Sequence, residues 1–95
     1  MDAYFDSGVI VKLYVNESNS AEAVRLTGAC PIPYLLTHLQ MLEVKNAIRL
    51  KKFRGEISEL EMTQSIATFE QDIVQRVWHI VVLPLADLFE KALLC

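Results

Sequence analysis

Two acidic residues, Asp6 and Glu43, are the side chains whose type and setting could do chemistry in this 95-residue sequence. Asp6 closes a short apolar run, Ala3-Tyr4-Phe5, and a second run, Val9-Ile10-Val11, follows within three residues. A carboxylate there must sit at a surface rim, pair with a cation or take up a proton, because burying it uncompensated is costly. Glu43 lies in a helix predicted over residues 37 to 53. At about 100° per residue, Leu39, Leu42, Leu50 and Phe53 share one stripe, and Glu43 and Asn46 fall inside it. Val44, Ala47 and Ile48 form a second apolar side, so the helix is expected to pack on two flanks with Glu43 pointing into a crevice. Two acids from separate elements near the carboxyl edge of a parallel sheet suit a hard divalent cation that keeps several waters. Plainer roles are open to both: a helix N-cap for Asp6, a solvated or lysine-paired side chain for Glu43.

The elements that hold these acids alternate between strand and helix. A buried strand running into Asp6 turns into a helix over 7–14, and the polar turn 16–20 supplies caps for another over 21–29, with Ala21, Val24 and Leu26 as its apolar positions. Pro31-Ile32-Pro33 ends that helix, and Tyr34-Leu35-Leu36 reads as a second buried strand. Thr37-His38-Leu39-Gln40 and Ser58-Glu59-Leu60-Glu61 both match the capping box, in which two side chains satisfy orphan amides reciprocally. The second box opens a helix with Met62, Ile66, Phe69 and Ile73 on one face. Residues 78–83 form a third strand candidate ended by Pro84, and 86–95 begin a last amphipathic helix. The alternation implies an α/β fold with a parallel sheet and helices on both faces, in one domain over 1–95. A sheet that stops at three strands, followed by an apolar tail, is expected to be incomplete at its C-terminus.

Composition narrows the classes. A chain that is 53% hydrophobic and 22% charged is a folded, core-rich protein. Its net charge of −3 argues against a globally basic nucleic-acid binder, while a local basic face remains open. No run is long enough to span a bilayer, and no secretory leader is visible, so no membrane partner is expected. Cys30 and Cys95 make neither a disulfide framework nor zinc spacing; a reducing cytoplasm is expected, with Cys95 a free thiol.

Among the other polar residues, Lys45, Arg49 and Lys52 line one helical face, either as a phosphate-contacting stripe or as a solvated surface. Lys12 could reach a phosphate or snorkel at a helix end. Ser7 could contact a metal-bound water or a phosphate, or cap the helix, and Asn46 could hold the Glu43 carboxylate in place. His38 and His79 lack carboxylate partners at a telling spacing, so neither is a convincing catalytic base.

The stretch Asp-Ser-Gly-Val-Ile-Val-Lys-Leu-Tyr-Val-Asn-Glu at 6–17 resembles the opening of PIN-domain ribonucleases, the toxins of bacterial VapC-like toxin–antitoxin pairs. Thr-His-Leu-Gln-Met-Leu-Glu-Val-Lys-Asn-Ala-Ile at 37–48 resembles that family's second signature. The resemblance implies a three-layer α/β/α sandwich around a parallel sheet and hydrolysis of RNA phosphodiester bonds with Mg²⁺ or Mn²⁺. It also implies an antitoxin partner and a homodimer. On this resemblance Asp6 matches the family's first metal-binding acid and Glu43 its second, with Ser7 and Asn46 in support. The family's further aspartates begin beyond Cys95, and Asp87 reads as a helix N-terminal acid. Activity is therefore expected to be impaired. The main rival is a catalytically silent module that dimerises, by strand exchange through a bare sheet edge, or captures an antitoxin. A receiver-like phosphoacceptor would need its third strand to end in an aspartate, and this one ends in Leu83-Pro84.

Overall fold

A computed structural model of the chain describes residues 3–82. Three strands and four helices lie among them: β1 (Ala3–Tyr4), α1 (Ser7–Tyr14), α2 (Ser20–Gly28), β2 (Tyr34–Leu36), α3 (His38–Phe53), α4 (Glu59–Val74) and β3 (Trp78–Ile80). The alternation expected from the sequence is the one observed. The third strand is shorter than expected, ending at Ile80, although the Val81 amide still donates to the Leu36 carbonyl. The end of that expected strand, the helix expected over 86–95, the role expected for Asp87 and the free thiol expected at Cys95 all fall outside the described residues.

The sheet is wholly parallel in the order β1-β2-β3, with Tyr4 beside Leu35 and Leu35 beside His79. Side chains alternate across a strand. Ala3, Phe5, Tyr34, Leu36 and Trp78 therefore share one face, where they form a buried cluster with Ile10 and Val11 of α1, Val44 and Ile48 of α3 and Phe69 of α4. Helices α1, α3 and α4 pack on one another over this face. The opposite face of the sheet carries Tyr4, Leu35 and His79, of which Tyr4 and Leu35 are buried.

Local chemistry sets the long helices. Both α3 and α4 begin in complete capping boxes, Thr37 with Gln40 and Ser58 with Glu61. α3 is followed by Gly55 at a φ of 77°, a conformation that carries little steric cost only without a Cβ.

Two helix faces differ from expectation. In α2 the buried positions are Ala23 and Thr27, while Val24 and Leu26 are exposed. Thr27 is tolerated there because its hydroxyl donates to the Ala23 carbonyl. In α3 the leucine stripe faces outward, with Leu39 65% and Phe53 85% exposed, and the core face is Gln40, Val44 and Ile48. The side with fewer and smaller apolar residues can be buried although it includes Gln40, because Oε1 and Nε2 of that glutamine each find a partner inside. Glu43 is accordingly exposed and does not point into a crevice.

Ring contacts run from the sheet into α4. Phe5 meets Tyr34 edge-on with centroids 5.3 Å apart, Tyr34 meets Trp78 at 5.2 Å, Trp78 meets Phe69 at 6.3 Å, and Phe69 meets Tyr14 at 5.2 Å. The Tyr14 hydroxyl donates to Asp72 Oδ2 (2.6 Å) and accepts from Trp78 Nε1 (2.7 Å), so both polar ends of the ring system are satisfied. Burial, then the bond to Asp72, holds the Tyr14 phenol well above its ordinary value; burial also raises Tyr34. An acid whose folded pKa is raised keeps its proton after the unfolded chain has lost it. Stability is therefore full below about pH 10 and falls as the pH rises through the raised values. Tyr14→Phe should cost about 1–3 kcal/mol at neutral pH, by stranding Asp72 and Trp78, and should flatten the alkaline loss. Urea melts at pH 8 and pH 11 test this; an equal alkaline loss in the variant would refute it.

Candidate functional site

Asp6 lies on the turn from β1 into α1, and Glu43 lies inside α3, seven residues after β2 ends at Leu36. Asp6 is the N-cap of α1, with extended backbone (φ −71°, ψ 157°), and its Oδ1 accepts from the Gly8 amide at 2.7 Å. The plainer role thus holds for Asp6, and it leaves Oδ2 outside that cap bond. Ser7 does not cap α1. It is the first helical residue, and its hydroxyl donates to Glu43 Oε1 at 3.0 Å. That bond joins the 6–17 stretch to the 37–48 stretch directly.

Two residues passed over in the sequence belong to this site. The phenol of Tyr4 is pushed up by burial first, then by the charges of Glu43 and Asp6, so both carboxylates act on one hydroxyl. Gly8 lies so close to the Asp6 carboxylate that a Cβ there would stand 3.3 Å from Oδ1. A glycine two residues after an N-cap acid was the available signal for the second. For Tyr4 there was none, since an aromatic in a buried strand reads as core.

The remaining expected residues separate. Asn46 does not hold the Glu43 carboxylate; its Oδ1 accepts from Arg49 Nη1 at 3.3 Å, one turn further along α3. Lys45 is engaged by Glu70 of α4 at 3.4 Å, and Lys52 is exposed. Lys51, beside that stripe, pairs with Glu17 at 2.5 Å and Glu56 at 3.7 Å and ties α3 to the turn after α1. Lys12 lies in the last turn of α1, at the opposite end from Asp6. The basic stripe is therefore partly neutralised by structural pairs.

The donor set offered by Asp6, Glu43 and Ser7 is all oxygen. It fits a hard divalent cation that keeps most of its waters, because such an ion needs only one or two carboxylates from the protein. No cluster of three or more metal-ligating side chains occurs among the described residues. A separate cleft of about 420 Å³ lies between the end of α1 and α4, lined by Tyr14, Asn16, Glu61, Gln64, Thr68 and Asp72 among others. It shares no residue with the acid pair. The acid pair lies apart from it at the exposed rim, where Ser7 bridges from the start of α1 to Glu43.

No family model, no curated protein and no solved structure matches this chain. The likeness to PIN-domain ribonucleases thus rests on the residues quoted above. No described helix is long and apolar enough to cross a membrane.

Gly8→Ala should not raise the melting temperature, because the gain in helix propensity of up to about 1 kcal/mol is set against crowding of the Asp6 N-cap, itself worth about 1 kcal/mol. It should displace the Asp6 carboxylate and move its carboxyl ¹³C resonance. An unmoved resonance would show that the close approach does not constrain Asp6.

Proposed function

We propose that this chain is a PIN-like α/β domain of the toxin type whose acid pair supports metal-dependent endoribonuclease chemistry, weakened by the small number of acids. The observation that carries this reading is the Ser7–Glu43 hydrogen bond, which supports pairing of the two resembling stretches at one strand edge. Asp6 and Glu43 would hold Mg²⁺ or Mn²⁺ through their carboxylates, with Ser7 fixing the Glu43 oxygen that it bonds. When bound, such an ion activates a water and stabilises charge building on the transferring phosphoryl group. The chain's own contribution is placement: an N-cap fixes Asp6, and Ser7 fixes Glu43. Arg49 and Lys52 on the exposed side of α3 offer phosphate contacts to an RNA strand. The reading implies an antitoxin as cognate partner and a cytoplasmic setting.

A second reading, a catalytically silent self-associating module, is favoured by the outward stripe of α3. Its spacing is the same read from either end: Leu39, Leu42, Asn46, Leu50, Phe53. Two antiparallel copies related by a two-fold axis at Asn46 would set Leu39 against Phe53 and Leu42 against Leu50. A closed two-fold dimer needs a self-complementary patch of this kind.

The nuclease reading expects Mn²⁺-dependent cleavage of single-stranded RNA that drops about a hundredfold or more in both Asp6→Asn and Glu43→Gln. Cleavage that survives either substitution would sink it. Self-association expects a dimer by sedimentation that both of those variants keep and Leu42→Glu dissociates. A monomeric parent chain rules it out.

A further inference from the structure

Gln40 is 3% exposed, the most deeply buried polar side chain among the described residues, and no nuclease role attaches to it in the reading above. Its amide does two jobs at once. Oε1 accepts from the Thr37 backbone amide at 3.1 Å, completing the capping box of α3. Nε2 donates across to the Phe5 carbonyl at 2.6 Å. The first bond is local and was legible as a capping motif. The second crosses from the β2–α3 turn to the β1–α1 turn and has nothing to do with capping.

The placement of these two turns gives the bond its meaning. Phe5 immediately precedes Asp6, and Gln40 precedes Glu43 by three residues, less than one helical turn. A single uncharged side chain therefore ties the backbone that carries one acid to the backbone that carries the other. Neither carboxylate could serve as this tie itself, because two like charges repel. The Ser7–Glu43 bond, at the exposed rim, is open to competition from water. Gln40 is sheltered from water, and both ends of its amide are satisfied. Without it the Phe5 carbonyl would lose this partner, and the two turns would be joined by the short β1–β2 ladder, the packing around it and the exposed Ser7–Glu43 bond.

We propose that Gln40 is the positioning residue of the acid pair: it sets the interval between Asp6 and Glu43 before any ligand binds. This rests on the nuclease reading only for its consequence, not for its geometry. The role is the one that outer-shell partners of metal ligands play, whose loss costs about 10–100-fold in metal affinity. Gln40 touches neither a substrate nor a cation; it acts through Phe5 and the α3 N-terminus.

The test compares Gln40→Met and Gln40→Glu with Val44→Ala, a core cavity one turn further along the same helix. Gln40→Glu keeps the acceptor for Thr37 but replaces the neutral donor to Phe5 with a carboxyl that can donate only when protonated, so it loosens the cross-turn arm selectively as the pH rises. Two readouts are taken on each protein: the Gly8 amide resonance, which reports the Asp6 cap without metal, and Mn²⁺ affinity by electron paramagnetic resonance. Both Gln40 variants should move the Gly8 resonance and weaken Mn²⁺ binding by about tenfold or more, while Val44→Ala leaves both as in the parent. Weaker binding in Gln40→Glu would be telling, since the added negative charge alone pulls a cation in. An unmoved Gly8 resonance, an equal effect in Val44→Ala, or failure of both Gln40 variants to fold would overturn the proposal in favour of a general structural role. A parent chain that binds no Mn²⁺, with Gly8 still displaced by both Gln40 variants, would remove the metal reading and leave the positioning role standing.

Discussion

The sheet of this protein is too short to hold itself together. β1 contributes two residues and β2 and β3 three each, so the parallel ladders supply few hydrogen bonds for the chain entropy they must offset. What fixes the register is side-chain packing on one face. Phe5, Tyr34, Trp78, Phe69 and Tyr14 touch in sequence, each pair edge-on or tilted, and the run ends in a phenol bonded to both Asp72 and Trp78. Such ring pairs add about 0.5–1.5 kcal/mol each beyond their buried area. Because a slip of one residue would send every strand side chain to the other face, this packing is what makes a ladder of two or three residues unique.

From that constraint the position of the acids follows. With strands this short, the carboxyl edge lies only one or two residues beyond the core, so Asp6 emerges into solvent directly after buried Phe5. Glu43 reaches the same edge from one turn inside α3. The pair is therefore exposed and still backed by a rigid core.

Element order was legible in the sequence because the punctuation is strong. Pro31 and Pro33, Gly55 and the two capping boxes bound the helices closely, and the strand runs are too short to be anything else. Helix orientation was not legible where apolar residues occur on two sides. Leu39, Leu42, Leu50 and Phe53 form the larger apolar stripe of α3, yet the smaller Val44 and Ile48 face the sheet. A periodicity argument counts apolar residues on a face; it cannot see that Gln40, polar by type, is satisfied inside by Phe5 and Thr37. Asp6 and Glu43 were picked out from their settings, and for Glu43 the setting was misjudged: it is not amid buried leucines, because those leucines are not buried. The contacts of Asn46 and Lys51 depend on which residues lie across from them in space, and no spacing along the chain encodes that.

The capping boxes at Thr37 and Ser58 bear on how this chain can change over evolution. Each helix start is fixed by the first and fourth residues of a four-residue stretch, whose side chains satisfy each other's backbone amides, so it does not depend on the length of the loop before it. An insertion in the segment 29–33 or 54–57 lengthens a loop at small entropic cost, since closure entropy grows only slowly with length. It does not rotate α3 or α4 about its axis. Loop length in this fold is free to drift, while the phase of each helix against the sheet is locked.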